Sequence, residues 1–86
     1  MMEIFFTRKY QRALVKLVKK RPDYIRIIEK RIDLLKHSPV HPMLRVHKLV
    51  NRDEYSLSID HSIRIIFSRE KDTCYLLEIG SHDEVY

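Results

Sequence analysis

Between Tyr55 and Ile79 apolar side chains return at every second position, in three short runs broken by three-residue turns. That period belongs to strands with one buried face, and a helix cannot use it. Tyr55, Leu57 and Ile59 alternate with Ser56 and Ser58. Ile63, Ile65 and Phe67 alternate with Arg64 and, less regularly, Ile66, and Tyr75, Leu77 and Ile79 complete the set. Turns at Asp60-His61-Ser62 and Glu70-Lys71-Asp72 predict an antiparallel meander with all nine of these residues on one face. The opposite face receives Ser56, Ser58, Arg64, Ile66, Leu76 and Glu78, and in this register Arg64 stands across from Glu78.

The residues upstream supply the layer that covers that face. Glu3-Ile4-Phe5-Phe6 reads as a short strand, and Thr7 can cap a helix whose apolar positions are Tyr10, Leu14, Leu17 and Val18. Arg21-Pro22-Asp23 interrupts it, because proline cannot continue the ladder of backbone bonds. Asp23 can cap a second helix carrying Ile25, Ile28, Ile32 and Leu35 along one side. His37 to Pro42 closes that helix, and Leu44 to Leu49 reads as a basic loop. One glycine, three prolines and no linker or repeat leave little room for long flexible segments. The expectation is a single domain over residues 1–86 of class α+β, ordered β-α-α-β-β-β, with an α-hairpin packed on one face of a mainly antiparallel four-stranded sheet.

Seventeen Lys and Arg against twelve Asp and Glu give a formal charge of +5. The excess favours phosphate, acidic protein segments or anionic lipid, and by itself selects none of them. It is uneven: residues 8–52 hold most of the cations, and residues 53–86 are slightly acidic. With no leader and no apolar run long enough to span a bilayer, a cytoplasmic protein without a membrane partner is expected. The single Cys74 cannot form an internal disulfide and reads as a buried thiol. Five scattered His show no metal-ligand spacing, and neither a phosphate-binding glycine loop nor a nucleophile elbow is present, so neither metal nor cofactor is expected.

Three groups of residues suit work on a polyanion. Arg64 lies mid-strand, where a permanently charged fork can grip phosphate oxygens; a cross-strand salt bridge to Glu78 is the structural alternative. His82 follows the last strand and the only glycine. It titrates near neutral pH, so it can act as base or acid in metal-free RNA cleavage, although a lone His near a chain end often does nothing. Nearby Tyr86 can stack on a base or simply pack. Arg45, His47 and Lys48 form a basic, proline-bounded stretch that can hold an RNA backbone or stay solvated. In this register about four strand residues, roughly 13 Å, separate Arg64 from His82.

The chain resembles the RelE superfamily of bacterial toxins, and more closely the branch around YafQ and related messenger-RNA interferases. The resemblance rests on His41-Pro42-Met43-Leu44 through His47-Lys48-Leu49, on Tyr55 to Ile59 with Ile63 to Phe67, and on the segment Leu76 to Tyr86. It implies a RelE/ParE-like fold and the toxin of a type II toxin–antitoxin system: a ribosome-dependent endoribonuclease that cuts messenger RNA in the A site. The implied products are a cyclic phosphate and a free 5′-hydroxyl. The family's terminal catalytic His falls on His82, its terminal aromatic on Tyr86, its loop His on His47 and its strand Arg on Arg64; Arg45 and Lys48 would position the RNA. A cognate antitoxin, the ribosome and messenger RNA are the implied partners, with operator DNA bound only by the toxin–antitoxin complex. Ser58 and Glu78 stand where the YafQ-like pattern has a second functional His and an Arg. The same superfamily holds ParE-like gyrase inhibitors, and a catalytically silent toxin fold or a basic adaptor would share the same outline.

Overall fold

The computed structural model describes residues 1–81 and 85. Its elements follow the order β1 (Glu3–Phe6), α1 (Arg8–Lys20), α2 (Tyr24–His37), a 3-10 turn (Pro42–Leu44), β2 (His47–Lys48), β3 (Tyr55–Ser58), β4 (Ile63–Glu70) and β5 (Thr73–Ser81). The two helices pack on one face of a sheet, as the amphipathic patterns require. The sheet has five strands, in the order β1-β5-β4-β3-β2. The added strand is His47–Lys48, which lies within the stretch expected to be a basic loop and pairs antiparallel with Ser56 and Tyr55. Two residues carry no readable period, so nothing in the sequence announces it.

Strand β1 pairs parallel with β5, from Glu3 opposite Thr73 to Phe6 opposite Leu76. Where β1 stops, Thr7 turns the chain: its hydroxyl donates to the Leu76 carbonyl at 2.6 Å and accepts the Tyr10 N–H at 3.2 Å. One side chain therefore caps α1 and fastens it to β5. Asp23 does not cap α2. Its carboxylate is held by the Arg21 guanidinium, at 3.1 and 2.9 Å, in an exposed ion pair. The Arg21 fork also lies 4.8 Å from the centre of the Tyr24 ring.

The core sits between the hairpin and the sheet: Tyr10, Ile28 and Leu35 meet Leu57, Ile59, Ile65, Phe67, Leu76 and Ile79. Tyr24 is buried in place of Ile25, which is exposed. Strand β5 departs most from simple alternation. A two-residue turn, rather than three, sets Glu70 opposite Thr73, so Cys74 and Leu76 point to the core. Leu77 is then an extra residue: Phe67 pairs with Leu76 and the next partner of β4, Ile66, pairs with Glu78. This bulge restores Ile79 to the core and leaves Tyr75 and Leu77 off it. Lys71 holds the turn in the left-handed region at φ 54°. A Cβ there is costly, so Lys71→Gly is expected to raise stability by up to about 1 kcal/mol in a denaturant melt, with the same sheet.

Candidate functional site

The sheet face away from the helix hairpin carries two rows of paired residues. The first runs His47–Ser56–Ile66–Glu78 across β2, β3, β4 and β5, because directly opposite residues in antiparallel strands share a face. The second runs Ser58–Arg64–Gly80. Arg64 therefore lies between a serine and a glycine, and the cross-strand salt bridge to Glu78, the structural alternative for this residue, does not form. Gly80 has no positive φ, so its missing side chain answers no need of the backbone. It puts no side chain opposite the guanidinium. Arg64 is half-buried, and among the described residues it has neither an ion pair nor a side-chain hydrogen bond.

Glu78 is occupied elsewhere. Its carboxylate meets Lys9 Nζ of α1 at 2.9 Å and an Arg52 nitrogen at 3.9 Å, and Arg52 also pairs with Glu54. This bridge crosses from the β2–β3 loop to β5 along the row in which Ser56 and Ile66 are fully buried. Arg52 and Lys9 were not singled out from the sequence. No local pattern marks Arg52, since its partner Glu78 lies on the far side of the sheet. Lys9, Lys16 and Lys20 do follow helical spacing, and with Gly80 and Val85 they line a groove of about 280 Å³ at the end of β5.

The other expected residues divide between faces. His47 is exposed in the first row, and with β2 and β4 two strands apart its backbone lies about 12 Å from that of Arg64. Lys48 is paired with Tyr55, on the helix-bearing face, and reaches Asp53 at 3.9 Å. Arg45 has left-handed backbone, φ 48°, at the end of the 3-10 turn and lines a cavity with Tyr55, Phe67 and Cys74, also on the helix-bearing side. The structure thus brings His47 and Arg64 to one face and puts Arg45 and Lys48 on the other. His82 and Tyr86 lie outside the described residues. The observed register places Gly80 opposite Arg64, so His82 comes two chain positions after that pair instead of four after Glu78.

The turn that leads into Arg64 is tied down on three sides. Asp60 Oδ1 accepts the N–H groups of Ser62 and Ile63, each at 2.8 Å, and its other oxygen accepts the Tyr24 hydroxyl. The Ser58 hydroxyl donates to the Asp60 carbonyl at 2.9 Å. Burial works to raise the Asp60 pKa, but these donors prevail and hold it below the ordinary carboxylate range; the same hydrogen bond, with burial, raises that of Tyr24. A lowered folded pKa contributes stability that is present above the unfolded value, near 3.9, and is lost as pH falls through the folded value. Asp60→Asn is thus expected to cost about 1–3 kcal/mol at neutral pH. It should also flatten the loss of stability that wild type shows below about pH 4, read by urea melts across that range.

An α-hairpin on a mixed sheet in which β5 pairs with β1 is the fold of solved YafQ and related toxin structures. No protein-family model and no curated protein matches the chain. Solved structures do. A metal-bound toxin from Helicobacter pylori superposes with a TM-score of 0.84 at 24% identity, over 100% of both chains. The E. coli DinJ–YafQ toxin–antitoxin complex gives 0.82 at 17%, covering 99% of this chain and 97% of that one. The YoeB–YefM complex from Staphylococcus aureus gives 0.76 at 13%, covering 95% and 98%. Identities this low establish the fold, including its helix hairpin and sheet. Among the described residues no three His, Cys, Asp or Glu side chains gather as a metal site, and no helix is long and apolar enough to cross a membrane.

Proposed function

We propose that the protein is the toxin of a type II toxin–antitoxin system and cleaves messenger RNA in the ribosomal A site by metal-independent acid–base chemistry. The observation that carries this reading is Arg64: a guanidinium without a carboxylate partner among the described residues, flanked by Ser58 and by the bare backbone of Gly80. A half-buried guanidinium with no carboxylate partner among the described residues keeps its fork available to an anion. A scissile phosphate is such an anion, and the fork of Arg64 suits the charge that builds on its oxygens as the 2′-oxygen attacks phosphorus.

The reaction needs one proton removed from the 2′-hydroxyl and one delivered to the departing 5′-oxygen, which leaves a 2′,3′-cyclic phosphate and a 5′-hydroxyl. We assign this proton traffic chiefly to His82. His47, on the same face as Arg64, assists, and Tyr86 orients a base by stacking. Arg45 and Lys48, on the other face, meet only nucleic acid outside the scissile site. Glu78, held by Lys9 and Arg52, is kept from neutralising Arg64. The basic surface of the helices fits an antitoxin with an acidic or amphipathic segment, and operator binding belongs to that complex. The occurrence of this fold in the DinJ–YafQ and YoeB–YefM complexes supports the pairing.

The test is induced expression in bacteria, wild type beside His82→Ala, with messenger-RNA 5′-ends mapped on translating ribosomes. Wild type is expected to arrest growth and produce in-frame cuts, which His82→Ala should reduce by about 10²–10⁴-fold while still folding. Undiminished cutting by a folded His82→Ala protein removes His82 from the chemistry. Growth arrest without cuts would favour a gyrase inhibitor, and neither arrest nor cuts a silent toxin fold.

A further inference from the structure

The helix-bearing side of the sheet has a cavity of its own, past the C-terminal end of α2, with a volume of about 340 Å³. Its floor includes Tyr55 and Phe67, stacked with ring centres 5.6 Å apart and planes at 24°. Val40 and Val46 supply apolar wall, and Arg45 and Arg69 bring two guanidiniums. No carboxylate lines it.

Neither arginine has a carboxylate partner among the described residues; Arg69 only donates its Nε–H to the Lys71 carbonyl, at 3.3 Å. Arg45 is held in a left-handed backbone that a non-glycine residue adopts at a cost. His41, also in the lining, accepts the Met43 N–H through Nδ1 at 3.1 Å.

Two forks without a carboxylate partner among the described residues, beside an aromatic and aliphatic floor, ask for a ligand that is dianionic at one end and flat and apolar at the other. The volume lies near the lower end of small-ligand pockets, about 300–1,000 Å³, which suits one nucleotide and not a strand. We propose that this cavity binds a nucleoside monophosphate, its terminal phosphate between Arg45 and Arg69 and its base against Tyr55. A terminal phosphate carries more charge than an internal diester, so two arginines favour it over the RNA backbone. The site is on the opposite sheet face from Arg64, so its test does not depend on RNA cleavage, and it gives Arg45 a nucleotide phosphate to hold in place of the RNA backbone.

The test is titration of the full-length protein, followed by amide shifts in heteronuclear NMR, with adenosine and uridine 5′-monophosphate, adenosine alone and inorganic phosphate alone. Saturable shifts are expected at Val40, Val46 and Phe67. Adenosine and phosphate alone should each bind at least tenfold more weakly than the nucleotides. Arg69→Gln and Arg45→Asn, the latter chosen because Asn tolerates left-handed backbone, should each weaken nucleotide binding tenfold or more. A trinucleotide with a 5′-phosphate separates the two sources of this chemistry: equal affinity assigns the site to an RNA 5′ end, and tenfold weaker binding assigns it to the free nucleotide. Absence of saturable shifts around the cavity overturns the proposal. So does phosphate binding as tight as nucleotide binding, or undiminished binding by both arginine variants.

Discussion

Arg64→Gln is expected to slow RNA cleavage by about 10²–10³-fold, the usual cost of removing one donor aimed at developing charge. Its melting temperature should stay close to that of wild type. The two halves of this expectation come from the same geometry. Arg64 has no ion pair or side-chain hydrogen bond among the described residues, so replacing it breaks no polar contact with them. Its neighbours across the strands, Ser58 and Gly80, offer neither charge nor bulk. Arg64→Lys should recover part of the rate, since it restores the charge without the planar fork. The measurement is cleavage of messenger RNA on programmed ribosomes, with thermal melts of each variant beside it. If Arg64→Gln cuts at the wild-type rate, Arg64 is not the phosphate clamp and the unpaired guanidinium needs another explanation. If instead it melts early, the arginine was supporting the sheet after all.

Much of this fold can be read from its residues because the strongest signals are local. Periods of two and of 3.6 place β3, β4 and both helices, and Thr7 caps α1 as its position before the helix suggests. What the sequence conceals is set by competition among partners, some adjacent and some distant. Asp23 has the right chemistry for a cap, but Arg21 two residues earlier competes for its carboxylate and wins. Strand β2 exists only because β3 offers it an edge. The candidate site shows the same division. His47 and Arg64 were legible as residue types suited to RNA, but their common face depends on strand pairing. Arg45 and Lys48 looked like their companions in one basic loop. The two-residue strand turns Lys48 to the face opposite His47, since neighbours along a strand alternate, and Arg45 is placed before that strand by the left-handed end of the 3-10 turn. The pairing of Arg64 with Gly80 was hidden by a register that gave it Glu78 as a partner.

That register turns on one leucine. Strict alternation puts Tyr75, Leu77 and Ile79 in the core and Leu76 outside, and it sets Arg64 against Glu78. The two-residue turn at Lys71-Asp72 and the bulge at Leu77 reverse this for the first half of β5 and restore it for the second. Leu76 is fully buried against the helices, and its carbonyl accepts both the N–H and the hydroxyl of Thr7. Leu77 is only half-buried and belongs to the other face. Leu76→Ala is therefore expected to cost about 2–5 kcal/mol, the range for emptying a leucine site in a packed core. Leu77→Ala should cost about 1 kcal/mol or less, since a half-buried side chain off the core leaves no sealed cavity. Paired urea melts of the two variants decide the matter without any assay of function. The reverse order would mean that β5 keeps plain alternation, and Arg64 would then face a carboxylate again. A large loss at Leu76 with little at Leu77 keeps Gly80 opposite the guanidinium, which is the arrangement that phosphate binding by Arg64 requires.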